Sequence, residues 1–247
     1  MDRSTTVITG ATDGIGLALA HEYDQRGDRL ILLGRRPISS LDDPLFSNHS
    51  YARIDLAQTE ETRRILGLLE THRIDSIDRL ILNAGTGSYG PVSEEPPDRI
   101  RDIVSVNLSA SIALLHHCWS RLANAHGRVV LIGSVIAALP CPDYAVYGAT
   151  KAAIDGLARS LRHELAPDVA VQVIHPGATR TGLHEKIGVD ERRVDWRRFP
   201  TAEVIAGRVV RRVGSGSWRS LLSMVDRILW TAGRRLARQV DWLMGRR

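Results

Sequence analysis

Cysteine is nearly absent from this chain of 247 residues: Cys118 and Cys141 are the only two. Their spacing fits no metal-binding pattern and builds no disulfide framework, so each reads as a small buried hydrophobe. Nothing in their number points to an oxidising compartment. The nine histidines include no H-E-x-x-H and no accompanying carboxylate cluster, so no metal site is expected. His116-His117 falls on a long apolar stretch and reads as packing, while His175, before Pro176-Gly177, reads as a structural hydrogen bond. No run of about 18 apolar residues occurs, which excludes a spanning helix of the usual kind. Met1-Asp2-Arg3-Ser4 passes straight into a β-prone run with no apolar stretch of signal type, so a cytoplasmic protein is expected. Internal repeats and low-complexity tracts are missing too. What remains is a chain with 43% hydrophobic residues, long enough to bury one large core.

Strand-like apolar runs at residues 5–9, 29–33, 50–54, 79–82, 128–132 and 170–174 alternate with helix-like stretches at 17–26, 60–71, 97–123 and 144–165. Several of the runs are continuously apolar, as strands are when helices cover both faces. The pattern predicts an α/β fold, a doubly wound, Rossmann-like parallel sheet. Residues 37–48 carry turn formers and read as a loop or a short helical piece.

The first run leads into Thr9-Gly10-Ala11-Thr12-Asp13-Gly14-Ile15-Gly16 and then into a helical stretch. A strand, a glycine-rich turn and a helix start make a phosphate cradle: glycines allow close backbone approach, and the helix N-terminus offers free N–H groups and a positive dipole end. The spacing, T-G-x-x-x-G-x-G, differs from the common G-x-G-x-x-G. Asp13 brings its backbone to the cradle, and its side chain suits a helix cap. The second run ends Leu33-Gly34-Arg35-Arg36. An acid at position 34 would bond ribose hydroxyls and repel a 2′-phosphate. Glycine followed by two guanidinium groups suits the phosphate instead, so the expected cofactor is NADP(H). The plainer reading of both arginines is solvated surface charge.

Tyr147 and Lys151 are four residues apart, and Ser134 lies thirteen before the tyrosine. On a helix, positions i and i+4 share a face. A phenol has a free pKa of about 10, and a neighbouring ammonium group favours its anion. Such a tyrosine can give a proton to a carbonyl oxygen or take one from an alcohol. Alone, Y-x-x-x-K is equally an exposed Tyr–Lys pair.

In this order and spacing the motifs resemble the short-chain dehydrogenase/reductase family over about the first 210 residues. The resemblance assigns Gly10, Thr12, Asp13, Gly14, Ile15 and Gly16 to the cofactor loop. It puts Asp55, followed by Leu56, at the adenine ring. Asn83-Ala84-Gly85 is similar to the family's N-A-G motif. Pro176-Gly177-Ala178-Thr179-Arg180-Thr181 is similar to its P-G-x-x-x-T segment, which contacts the nicotinamide. Asn107, Ser134, Tyr147 and Lys151 match the catalytic tetrad. By the same resemblance, Lys151 holds the ribose hydroxyls, and Asn107 anchors a water that resupplies protons. Residues 37–48 are shorter than the family's usual second-helix region.

Residues 192–247 depart from this ordinary picture. They hold fourteen arginines, no lysine, and only Asp195, Glu203, Asp226 and Asp241 as acids. That is a net +10, so the other 191 residues carry about −5 of the chain's +5. Trp218, Leu221, Leu222, Val225, Ile228, Leu229, Ala232, Leu236, Val240 and Leu243 recur at helical steps. The expectation is a catalytic domain over 1–213 and a basic, amphipathic helical extension over 214–247, hinged at Gly214-Ser215-Gly216-Ser217. Its apolar stripe would be buried on the enzyme body, on a second subunit of a homodimer or homotetramer, or in an anionic membrane at its inner face. No nucleic-acid motif is present. The expected pocket stretches, 86–97, 135–144 and 183–199, mix apolar residues with Tyr89, Tyr144 and Trp196, which suits an apolar or lipid-like carbonyl compound. Two functions follow: an NADP-dependent oxidoreductase interconverting carbonyl and alcohol, or a cofactor-binding scaffold or sensor that acts through its basic tail without turnover.

Overall fold

The structure is a computed structural model that describes residues 3–189 and 194–244. Seven strands form one sheet in the order β3-β2-β1-β4-β5-β6-β7. They are β1 (Thr5–Thr9), β2 (Arg29–Gly34), β3 (Ser50–Arg53), β4 (Arg79–Leu82), β5 (Arg128–Ile132), β6 (Ala170–His175) and β7 (Arg219–Leu221). Every neighbouring pair is parallel. The helices are α1 (Gly14–Asp24), α2 (Leu45–Asn48), α3 (Arg64–Thr71), α4 (Pro97–Val104), α5 (Ala110–Asn124), α6 (Ala145–Glu164), α7 (Leu183–Lys186), α8 (Ala202–Arg212), α9 (Met224–Arg235) and α10 (Ala237–Met244).

Strand side chains alternate between two cores, as a period of two requires. Val7, Ile31, Leu33, Leu80, Leu82, Val129 and Leu131 meet residues of α3, α5 and α6 on one face. Ile8, Leu30, Leu32, Ile81, Val130 and Ile132 meet α1, α2 and α8 on the other. Each fully buried leucine or isoleucine contributes about 2 kcal/mol. The doubly wound parallel sheet is therefore as the apolar runs predict. Strand order reverses between β1 and β4, and the loops that leave the C-terminal ends of the strands border that switch point, where doubly wound folds bind ligands.

Residues 37–48, expected as a loop or a short helical piece, form a 3₁₀ turn, Ile38–Ser40, and the short α2. Two features differ from the sequence reading. The expected helix over 97–123 is interrupted by one π-helical turn, Ser105–Ser109. The larger difference lies after residue 200. Arginines mask α8, whose Ala202, Ile205, Ala206 and Val209 are buried against the α1 side of the sheet. The segment 215–247 is not one helix. Buried Gln172 donates to the carbonyls of Arg212 and Ser217 at 2.8 and 3.0 Å and accepts from Gly214 N at 3.2 Å. These bonds fold 212–217 into a turn, so that β7 can pair with Val173–His175. The expected stripe is split: Trp218 and Leu222 pack partly buried against the two cores, while Val225 and Ile228 are 62% and 61% exposed. Residues 245–247 of the expected extension lie outside the described residues. Among the described residues no helix is long and apolar enough to cross a membrane.

Candidate active site

The loop after β1 closes on itself so tightly that position 16 tolerates no side chain. A Cβ on Gly16 would sit 2.1 Å from the carbonyl oxygen of Gly10. Asp13 caps α1 by accepting from Gly14 N at 2.7 Å and pairs with Lys186 of α7. Burial pushes its pKa up, but the hydrogen bond and charge of Lys186, the Gly14 N–H and Arg36 bring it below its ordinary value. Thr9 Oγ1 accepts from Asn83 N and Ala84 N, both at 2.9 Å, and Asn83 Nδ2 donates to Thr9 O at 3.0 Å. The Asn83-Ala84-Gly85 segment is thereby stitched to the strand that carries the glycine loop.

After β2, a Cβ on Gly34 would lie 2.5 Å from Thr12 Cγ2. An acid at this position would have to displace the Thr12 side chain. Arg35 and Arg36 follow, both exposed. Arg36 donates to Ser40 O, and its own carbonyl accepts from Tyr51 Oη at 2.6 Å. After β3, Asp55 Oδ1 accepts from Ala57 N at 3.1 Å, and Leu56 is buried beside it.

Ser134 leaves the end of β5 in extended conformation and opens the 3₁₀ turn Val135–Ala138. Tyr147 lies in the first turn of α6, with Lys151 one turn later. The Ser134 hydroxyl neighbours the Tyr147 phenol and favours its anion, and Ser134 Oγ itself accepts from Ile136 N at 3.4 Å. Burial pushes the phenol up to about 12, against the pull of the Ser134 hydroxyl, with Tyr144 adding to the rise. Burial also pushes the Lys151 ammonium group down to about 8. Its Nζ donates to Ile132 O at 2.9 Å and lies 5.7 Å from the Tyr147 ring centre. The sequence reading expects Lys151 to lower the tyrosine's pKa. In the structure desolvation is the largest influence on both groups, raising the phenol and lowering the ammonium group.

Asn107 sits in the π-helical turn, buried. Its Oδ1 accepts from Thr86 N at 2.8 Å, and its Nδ2 donates to Thr86 O and Thr150 Oγ1, both at 2.9 Å. Thr150 in turn donates to the Tyr147 carbonyl at 2.8 Å. The side-chain amide is thus committed to clamping the Thr86 loop to α6 beside the tyrosine. A Cβ on Gly85 would lie 3.5 Å from Lys151 Nζ and 3.6 Å from Asn107 Oδ1, so all three residues converge. Thr86 and Thr150 escaped sequence reasoning; only the i+3 spacing of Thr150 from Tyr147 hints at it.

Pro176 O accepts from Val135 N at 3.1 Å, which ties the segment after β6 to the residue following Ser134. Thr179 Oγ1 donates to Gly177 O at 3.0 Å, and Thr181 Oγ1 accepts from Leu183 N at 3.4 Å. Arg180 bridges to Thr201. Tyr89, Tyr144 and Tyr147 form a row with ring centres 5.2 and 6.4 Å apart, which brings the expected stretches 86–97 and 135–144 to the tyrosine. In the third stretch His184 stacks on Trp196 at 4.2 Å. Its residues 190–193 lie outside the described residues.

Each expected site residue therefore sits at a C-terminal strand end or on a helix facing one. The residues fit a nicotinamide dinucleotide: a helix N-terminus with a side-chain-free cradle, guanidinium groups past β2, and partly buried Tyr147 and Ser134 beside buried Lys151. Comparison with known proteins agrees. A family model described as short chain dehydrogenase matches residues 4–192. The chain is 32% identical over 184 residues, 72% of its length, to an 11-beta-hydroxysteroid dehydrogenase A of Sesamum indicum. It spans about half of that relative's own length, 53%. A short-chain dehydrogenase from Sphingobium yanoikuyae in complex with NADPH matches with a TM-score of 0.79 and 25% identity, over 99% of this chain and 96% of that one. A short-chain dehydrogenase/reductase from Burkholderia phymatum in complex with NAD matches with 0.81 and 19%, over 100% and 96%, a likeness of fold.

Proposed function

The chain belongs to the short-chain dehydrogenase family, and from that premise we propose that it interconverts a carbonyl and an alcohol with NADP(H), using Tyr147 as general acid and base. The observation that carries this reading is the partly buried Tyr147 phenol beside the Ser134 hydroxyl, with buried Lys151 one turn away on the same helix. NADP(H), when bound, supplies or accepts the hydride. The glycine loop, Gly10 to Gly16, and the first turn of α1 would hold its phosphates. Arg35 and Arg36 would hold the 2′-phosphate, and Asp55 and Leu56 the adenine side. Asn83-Ala84-Gly85, Pro176, Gly177, Thr179 and Thr181 would orient the nicotinamide side. Lys151 would donate to ribose hydroxyls.

Ser134 and Tyr147 would both donate to the substrate carbonyl oxygen, which draws charge off the carbon. Tyr147 then gives up its proton in reduction and takes one in oxidation. The raised pKa keeps the phenol protonated, the form that donates in reduction, further into the alkaline range. Asn107 holds the Thr86 loop and α6 in register around the pair. The tyrosine row and partly buried Ile136 support an apolar substrate.

Tyr147→Phe tests the proposal. Cofactor binding should persist, and turnover with a panel of apolar ketones and aldehydes should fall at least about 100-fold. Near wild-type turnover would refute the mechanism. A wild-type protein that binds NADPH and reduces nothing would favour the scaffold reading.

A second reading concerns partners. Met224, Val225, Ile228 and Leu229 form an exposed apolar row on α9, and Arg227, Arg235 and Arg238 are exposed around it. We read this face as fitting an anionic lipid surface, with about 1 kcal/mol per basic residue near the headgroups. Flotation with acidic vesicles that falls with salt supports it. No flotation, with a dimer or tetramer broken by Ile228→Glu, would instead assign the face to a second copy of the chain.

A further inference from the structure

The mechanism above gives no role to His175, yet this residue grips Ser134. It ends β6 and is 0% exposed. Its Nδ1 lies 3.2 Å from Ser134 N and 3.1 Å from Ser134 O, and its Nε2 lies 3.1 Å from Asp155 Oδ1. Asp155, buried on α6 one turn after Lys151, receives Arg219 Nε on Oδ1 and Nη2 on Oδ2, both at 2.8 Å. Arg234 of α9 stands 3.8 Å from Oδ2. The Trp230 ring lies 4.2 Å from the His175 ring, and the Arg219 guanidinium lies 4.3 Å from Trp218 and 5.3 Å from Trp230.

The carboxylate fixes the direction at Nε2, and the tautomer sets it at Nδ1. A carboxylate only accepts, so the hydrogen facing Asp155 belongs to Nε2. In the neutral ring Nδ1 then holds a lone pair and accepts the Ser134 N–H. The charged, bidentate Arg219 contact and the tryptophan face leave the ring no freedom to turn. Serine, histidine and aspartate in this order resemble a hydrolytic triad, but the ring meets Ser134 through its main chain. It is therefore placed to orient the serine rather than to take the hydroxyl proton.

We propose that His175, held by Asp155 and Arg219, is a positioning residue that aims the Ser134 hydroxyl at Tyr147. It makes β7 and α9, the arginine-rich end of the chain, part of the support of the active site. The inference rests on the reading of Ser134 and Tyr147 as the carbonyl-polarising pair.

The test is a double-mutant cycle between His175→Phe, which keeps a ring and loses both nitrogens, and Ser134→Ala. His175→Phe should lower kcat about tenfold or more, as the loss of about 1.4 kcal/mol of orientation would, with the NADPH Kd within about twofold of wild type. Ser134→Ala should cost far less in the His175→Phe background than alone, because the serine is already misaimed. His175→Asn, which can still meet Ser134 N, should recover part of kcat. A purely structural role would lower the melting temperature and leave the two substitutions multiplicative. That result would overturn the proposal.

Should His175→Phe fail to fold, Asp155→Asn takes its place in the cycle with the same expected coupling. Nitrogen NMR of the wild-type ring gives a readout free of turnover. It should show Nε2 protonated and Nδ1 bare, and the Ser134 amide signal should move in Asp155→Asn. A wild-type enzyme without turnover would sink the functional reading alone; a Ser134 amide indifferent to Asp155→Asn would sink the positioning chain.

Discussion

Replacing Lys151 by methionine should make the protein more stable at neutral pH while removing a residue the proposed chemistry uses. Lys151 is 4% exposed, and burial lowers its pKa from 10.5 to about 8. At about 1.4 kcal/mol per unit, carrying the charge in the folded state costs about 3 kcal/mol. That cost is fully present below pH 8, where lysine is charged in both states. It shrinks as pH rises from 8 to 10.5, where only the unfolded state stays charged, and vanishes above. Methionine of similar length removes the charge and keeps the packing. It also removes the donor to Ile132 O, a loss of about 1 to 2 kcal/mol. The net expectation at pH 7 is a gain of about 1 to 2 kcal/mol, or roughly 2–8 °C in Tm for a chain of this size. At pH 10 and above the sign should reverse, because only the lost hydrogen bond remains. Urea unfolding of both proteins from pH 6.5 to 10.5 measures this. A stability difference that does not vary with pH would refute the reasoning, since it would mean the lysine is not held charged in a desolvated place.

Three further outcomes follow from the geometry. Arg35→Asp should weaken NADPH far more than NADH, and Gly34→Asp should weaken both because its Cβ meets Thr12; a wild-type preference for NADH in fluorescence titration would contradict the assignment. Alcohol oxidation should climb with pH toward the raised phenol pKa of about 12, while reduction stays flat from pH 6 to 9; initial rates in both directions would show the opposite if the phenolate formed near neutrality. Cys118, whose thiol burial pushes up to about 12, should resist iodoacetamide in the folded protein and react only on unfolding, as mass spectrometry of the labelled peptides would report.

Much of this was legible in the chain before folding, for reasons that are local. Six strands are apolar runs long enough to show their character, and the glycine loop and Tyr147–Lys151 pair are short motifs whose meaning depends on spacing alone. His175 was read as a structural hydrogen bond, which the structure bears out. What sequence could not show depends on contacts between distant segments. β7 has three residues, and its pairing is set by buried Gln172 on another strand. Helix α8 hides its apolar face among arginines, and the end of the chain read as one basic amphipathic helix rather than a strand and two helices. Asp155 on α6 and Arg219 on β7 are 64 positions apart and ordinary in isolation. The direction of the Tyr147 pKa was misjudged because spacing gives the proximity of Lys151 but not the depth of burial, and burial dominates both groups.

The account's central claim is that Tyr147, Ser134 and Lys151 serve hydride exchange between NADP(H) and a carbonyl carbon. The most direct measurement supplies NADPH carrying deuterium at C4 on the transferred face, with an apolar ketone panel, and reads products by mass spectrometry. The account expects an alcohol with one deuterium on the former carbonyl carbon for each NADP⁺ formed, and neither product with Tyr147→Phe. NADPH consumed without a deuterated alcohol, or deuterated alcohol formed as fast by Tyr147→Phe, would contradict it.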